Sequence, residues 1–271
     1  MAPESPLFLR NRVSVTGKPD AEQTIIFVNG IGTVQGDWAQ VANAFETTCR
    51  VVRFDHVGSV PASFEAFRSN QLRYLNAAGY ARDFLDLCAA LNLPDKPVVI
   101  GHSLGAMVAV LAAVQEPSLF SRLILIGASP RYLNDDAYHG GFSREQIESI
   151  YAAIGTDYLA WTQTFANAAM GPDGGDQVRR FAKSLARIPN DMMLTVLCSV
   201  LQADHRAVLS KLTVPTRIIQ AENDFFVPRV VAEYMQAHIA GSELHVIKAE
   251  GHLLPLTAPD LLVESIQHYL L

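Results

Sequence analysis

An α/β fold is predicted, with a mostly parallel central sheet, helices on both of its faces and a helical cap set into the chain. Three observations carry this. Short β-branched runs recur along the sequence, and several are nearly all apolar, as strands buried on both faces should be. Amphipathic stretches lie between them, so strand and helix alternate. The alternation stops between about residues 130 and 205, where four helix-length segments follow one another without a convincing strand.

The strands are expected at 12–15, 24–28, 50–54, 97–100, 122–126, 216–220 and 243–248. Asp37 is expected to cap a helix on which Trp38, Val41 and Phe45 share a face, and Tyr80, Phe84, Leu87, Cys88 and Leu91 repeat at the spacing of another. The inserted helices are expected at 143–154, 157–169, 176–187 and 191–201, separated by Gly155, a loop at 171–175 and Pro189-Asn190. Because the regular pattern resumes at Val214, the insertion reads as a cap on one domain. Residues 1–129 and 206–271 are the core, and 130–205 the cap.

Composition excludes several function classes. The chain has 271 residues, 49% of them hydrophobic and 18% charged, with a net charge of −6. That is too apolar and too weakly charged for a disordered chain, and the acidic balance argues against nucleic acid as a partner. The longest apolar stretch, 104–114, is too short for a membrane span, which needs about 20 residues. The start, MAPESPLFLRN, has no basic segment followed by an apolar one, so no export signal is expected, and three widely spaced cysteines suit neither a disulfide framework nor a zinc site. The expectation is a cytoplasmic protein with reduced thiols and no metal or cofactor.

The most informative stretch is Pro97-Val98-Val99-Ile100-Gly101-His102-Ser103-Leu104-Gly105-Ala106-Met107, a buried strand, then G-x-S-x-G, then a helix of small and apolar residues. In a nucleophile elbow the serine occupies a strained strand-to-helix turn, and the flanking glycines let backbones approach closely. A serine hydroxyl needs a histidine base, itself oriented by a carboxylate. In this architecture both follow the serine, each in a loop after a later strand, which selects Asp224 and His252. Glu222 and Asp204 are rivals for the acid. His102 stands in the elbow but is expected to point away from the serine, and the other histidines read as surface or core residues.

Acyl transfer also needs donors for the developing oxyanion. The backbone N–H of Leu104, after the nucleophile, is one candidate, and that of Ile31, in the Asn29-Gly30-Ile31-Gly32 loop after the second strand, is the other. The same loop supports a competing reading as a dinucleotide-binding turn, with Asp55 ending the next strand. Its third glycine falls at position 36 rather than 35, and that reading leaves the elbow, Asp224 and His252 without a role.

Taken together, these residues resemble the α/β-hydrolase family. The segments Phe54-Asp55-His56-Val57-Gly58-Ser59, Tyr132-Leu133-Asn134-Asp135, Gly140-Gly141-Phe142, Asp204-His205-Arg206 and Gly251-His252 are similar to the branch that holds RsbQ-type bacterial stress regulators and plant karrikin and strigolactone receptor hydrolases. The resemblance implies a Ser103-His252-Asp224 triad, oxyanion amides from Ile31 and Leu104, and a four-helix lid over an apolar pocket. It departs at Asn29, where relatives carry histidine, at Val60-Pro61-Ala62, and at Leu253-Leu254-Pro255-Leu256, where many carry a second histidine.

Phe142, Trp161 and Phe165 from the cap and Phe225 beside the acid are expected to line the pocket, and the substrate to be a small, largely apolar ester or lactone. The resemblance implies a second class of function, a ligand sensor that meets a regulatory protein partner through its lid. Arg179, Arg180, Lys183 and Arg187 on the third cap helix are a candidate docking face, and an ordinary solvated face is the plainer reading.

Overall fold

The computed structural model describes residues 5–172 and 174–270. Seven strands form one sheet: β1 (Ser14–Gly17), β2 (Thr24–Val28), β3 (Arg50–Arg53), β4 (Val98–His102), β5 (Arg122–Ile126), β6 (Thr216–Asn223) and β7 (Glu243–Glu250). Their order is β1-β3-β2-β4-β5-β6-β7, with β1 antiparallel to β3 and every other pair parallel. All seven stand where the β-branched runs predict them, and the differences lie at the ends. β1 begins two residues late because Arg12 takes a left-handed turn, φ +47°, after a short helix. β6 and β7 run on to Asn223 and Glu250 because they stay paired through an irregularity at Ala221 and Asn223.

Side chains alternate between two apolar layers. On β2, Ile25 and Phe27 enter one and Ile26 and Val28 the other. Eight helices of ten or more residues occur among the described residues: α1 (Ala77–Leu91), α2 (Leu104–Gln115), α3 (Arg144–Thr156), α4 (Tyr158–Met170), α5 (Gly175–Ala186), α6 (Asn190–Leu201), α7 (Arg229–His238) and α8 (Pro259–Leu270). α1, α2 and α7 pack with Ile26 and Val28, while Trp38, Val41, Phe45 and α8 cover Ile25 and Phe27. α2 is apolar all round because it is buried from Leu104 to Ala113. No helix among the described residues is long and apolar enough to cross a membrane.

Asp37 does not stand at an N-cap. A 3-10 turn, Gln35–Trp38, precedes the short helix Ala39–Asn43, and the Asp37 carboxylate accepts the Val34 N–H at 2.8 Å. Trp38, Val41 and Phe45 are nonetheless buried together.

α3 to α6 form the cap between β5 and β6, each within two residues of its expected limits. Ser143 and Gln146 cap α3 reciprocally, and Asp157 caps α4 through the Ala160 N–H at 3.0 Å. Asp173, in the loop expected at 171–175, lies outside the described residues. The two chain crossings into the cap are tied together. Arg131 meets Asp204 at 2.9 Å, Arg206 meets Asp204 at 2.7 Å and Asp135 at 3.0 Å, and the His205 N–H donates to the Pro130 carbonyl at 2.8 Å. The Arg206 guanidinium holds the Asp204 carboxyl down at about 2.

Phe84 on α1 is stacked between Phe54 and Phe120, each with ring centroids 5.8 Å away. Truncation leaves a cavity that rigid neighbours cannot fill. Phe84→Ala is expected to lower the unfolding free energy by about 3 to 5 kcal/mol, read from the urea midpoint.

Candidate active site

Ser103 follows β4 with φ +53° and ψ −118°, a conformation that L-residues rarely adopt. The turn exists because its neighbours have no side chain. A Cβ on Gly101 would stand 2.5 Å from the Gly105 carbonyl oxygen, and one on Gly105 would stand 2.3 Å from the Val28 oxygen. The Ser103 N–H donates to the Ile126 carbonyl at 2.9 Å, tying the turn to β5.

The other two selected residues meet although 28 positions separate them. His252 Nδ1 lies 2.8 Å from Asp224 Oδ2, and both side chains are buried. The Asp224 carboxylate is fully engaged: Oδ1 accepts the N–H groups of Phe226 and Val227 at 2.8 and 3.1 Å, and Oδ2 also accepts Gln220 Nε2 at 3.2 Å. Burial alone would raise this carboxyl, but the facing imidazole and the backbone donors hold it below its ordinary 3.8. Of the rivals, Glu222 is exposed on β6 and Asp204 is held in the ion network at the cap crossings. Gln220 was hidden from sequence reasoning because a polar residue inside an apolar strand shows its use only when the following loop folds back.

Ser103 and His252 line one cavity with Ile31, Tyr132, Phe142, Phe165 and Phe226. Its free room for the centre of a water molecule is about 30 Å³, roughly two waters. Two expected lining residues are elsewhere. Phe225 is 63% exposed, and Phe226 takes the inward position. The reason is the tight turn closed by the Asp224 carboxylate, which sends consecutive side chains opposite ways. Trp161 is buried but behind the wall, between Tyr158 and Phe165 at 5.7 and 5.1 Å. Phe142 reaches the cavity because Asn134 accepts the N–H groups of Gly140 and Gly141 at 2.8 and 2.9 Å, folding that loop back on Tyr132. Tyr132, unassigned from sequence, borders Ser103; burial pushes its phenol up to about 12, with hydrogen bonding to Ser103 opposing.

The Ile31 and Leu104 N–H groups have no partner among the described residues. Leu104 opens α2, where unpaired N–H groups and the helix dipole favour negative charge. The peptide that carries the Ile31 N–H is oriented from its other side, since Thr33 Oγ donates to the Gly30 carbonyl at 3.0 Å. Behind this loop, Asn29 donates to the Phe54 carbonyl at 2.8 Å and accepts Trp38 Nε1 at 2.8 Å, while His56 Nε2 lies 2.9 Å from the Asn29 carbonyl. Asp55 accepts the Gln35 N–H at 2.7 Å and pairs with Arg12 at 3.3 Å, so it braces the loop rather than awaiting a ribose. No group of three His, Cys, Asp or Glu among the described residues could hold a metal ion.

His102 does not point away. It lines the same cavity, its ring centroid 4.8 Å from that of His252, and its Nε2 lies 2.8 Å from the His252 carbonyl. Burial lowers it to about 3, so it stays neutral and braces His252.

The Alpha/beta hydrolase family matches over residues 25–265. The chain belongs to that family. A strigolactone esterase of Arabidopsis thaliana is 38% identical over 261 residues, covering 95% of both chains. Karrikin insensitive 2 receptor IA of Petunia hybrida is 34% identical over 264 residues, covering 97% of this chain and 95% of its own. Among solved structures, a hydrolase from Oleispira antarctica superposes with a TM-score of 0.92 at 28% identity, covering 97% of this chain and 96% of its own. In this hydrolase the dinucleotide reading falls.

Two buried histidines tie stability to pH. Burial lowers His56 to about 4 and His102 to about 3, from 6.5. The unfolded chain therefore takes up protons first as pH falls below 6.5, and stability drops by about 1.4 kcal/mol per pH unit for each histidine until its folded pKa is reached. Urea unfolding at pH 7.5 and pH 5 should differ by on the order of 4 kcal/mol from this source; equal midpoints would mean that neither ring is held neutral.

Proposed function

We propose that the protein is a serine hydrolase for a small, largely apolar ester or lactone, with Ser103 as nucleophile, His252 as base and Asp224 as its orienting carboxylate. The buried 2.8 Å Asp224–His252 pair, opening onto the same cavity as Ser103, carries the reading. Residues 130–205 act as a lid on a core made of 1–129 and 206–271, supported by the ion network that joins the two crossings. A cytoplasmic location belongs to the same proposal and is supported by three free thiols.

In the first half-reaction Ser103 Oγ bonds to the carbonyl carbon as His252 takes its proton. The N–H groups of Ile31 and Leu104 receive the oxyanion, the carbon–oxygen bond to the alcohol breaks, and His252 returns the proton to that alcohol. Water repeats the sequence on the acyl-enzyme, releasing the acid and free Ser103. Asp224 fixes the imidazole through Nδ1, leaving Nε2 for the serine. Phe142, Phe165 and Phe226 give the cavity its apolar character.

A fluorophosphonate is expected to label wild type once, at Ser103, and Ser103→Ala not at all; labelling at another residue would sink the assignment. Asp224→Asn keeps the shape but favours the wrong imidazole tautomer, and its kcat on p-nitrophenyl acetate should fall by about 10³ to 10⁴.

One contact favours a second reading, a ligand sensor whose lid reports the state of the site. The His252 N–H donates to the Ala169 carbonyl at the end of α4 at 2.7 Å, so a change at His252 reaches the lid directly. The receptor named among the relatives supports it, and the exposed Arg179, Arg180 and Lys183 on α5 with Arg187 just after it are the proposed partner face. Pull-down from the native cell with wild type and Ser103→Ala, beside turnover of p-nitrophenyl esters, separates the two. Fast turnover without a partner means catabolism; slow turnover with a partner captured only by wild type means sensing.

A further inference from the structure

A second chamber shares Ile31 with the one that holds Ser103 and His252. Ile31 borders both chambers, whereas His252, Tyr132 and Phe142 border only the first, and His56, Tyr80 and Leu104 only the second. The second wall is completed by Ile188, Met193 and Val196 from the cap. Its wall includes both residues whose N–H groups are proposed to hold the oxyanion, Ile31 and Leu104.

Its polar groups are unusual for so apolar a place. Tyr80 is 2% exposed and His56 6% exposed. The Tyr80 hydroxyl makes no hydrogen bond among the described residues, and neither does His56 Nδ1. With Nε2 donating to the Asn29 carbonyl and the ring neutral, His56 Nδ1 is a lone-pair acceptor. The two rings meet edge to face with centroids 5.2 Å apart. Neither atom is among the sealed polar groups that lack a partner, so both stay open to a small molecule, and a donor and an acceptor on two residues of one chamber wall suit a group that both accepts and donates. A hydroxyl does both.

We propose that this chamber is the acyl subsite and that the acyl group it takes is short and carries a hydroxyl. The inference rests on the hydrolase reading above. His252 must give its proton to the departing alcohol, so the alcohol arm lies in the chamber that His252 lines. The acyl arm leaves the carbonyl on the other side, past Ile31, into the chamber that His252 does not line. There its hydroxyl donates to His56 Nδ1 and accepts from Tyr80.

The test compares p-nitrophenyl 3-hydroxybutyrate with p-nitrophenyl butyrate, which share a leaving group and a chain length. Wild type should prefer the hydroxy ester by about tenfold in kcat/KM, the worth of one well-placed hydrogen bond. In Tyr80→Phe, which keeps the ring's shape, that ratio should fall severalfold, the His56 Nδ1 bond being left. Val196→Phe, at the partly exposed cap wall, should fill the chamber and lower kcat/KM for both four-carbon esters relative to the acetate. No hydroxy preference in wild type, an unchanged ratio in Tyr80→Phe, or an unchanged chain-length profile in Val196→Phe would each overturn the subsite. Fluorophosphonate labelling of wild type is read separately: its absence at Ser103 would overturn the hydrolase reading itself.

Discussion

The left-handed backbone at Ser103 is the constraint around which the rest is arranged. A non-glycine residue at φ +53° is held there only if the surroundings over-determine it. Here β4 and α2 enforce it, one paired on both sides in the sheet and the other wrapped in apolar contacts along its length. The close approach of Gly105 to the Val28 carbonyl joins the turn to β2, and the loop that follows β2 carries Ile31. A parallel sheet brings the carboxyl ends of its strands to one edge, so the loops after β2, β4, β6 and β7 converge without any of them being long.

Polar groups near this edge are few, and most are fully used. The Asp224 carboxylate has four donors around it, and the Asn29 side chain bonds on both its amide nitrogen and its oxygen. That satisfaction makes burial tolerable and also sets positions, because a buried polar group without its partner costs about 1 to 3 kcal/mol. Burial holds His56 and His102 neutral, and His102 braces His252 without carrying a charge. Against this background the unpartnered Tyr80 hydroxyl stands out.

The cap is fastened at two levels. At its base, Arg131, Asp135, Asp204 and Arg206 join the outgoing and returning chain, so the motifs Tyr132-Leu133-Asn134-Asp135 and Asp204-His205-Arg206 form one clasp rather than two separate signatures. At its inner end, the Ala169 carbonyl holds the His252 backbone. The first fixes where the lid is hinged, and the second joins it to the chemistry.

Patterns local in sequence were legible at once. The seven strands, the four cap helices, the elbow at Ser103 and the order of acid and histidine follow from apolar period, glycine position and loop order, all of which act over a few residues. Side-chain direction in irregular segments was decided only by tertiary contacts. Phe225 and Phe226 are neighbours of the same kind, and the turn closed by the Asp224 carboxylate determines which faces the cavity. Trp161 and Phe165 sit one helical turn apart on α4, and only the packing of Tyr158 leaves Phe165 nearer the serine. Gln220, Tyr132 and the pair His56 and Tyr80 carry no local signal, because their partners come from loops and helices distant in the chain. Local period marks which elements exist and which residues are apolar, while the meeting of distant groups depends on the folded chain, since hydrogen bonds and ring contacts reach only a few ångströms.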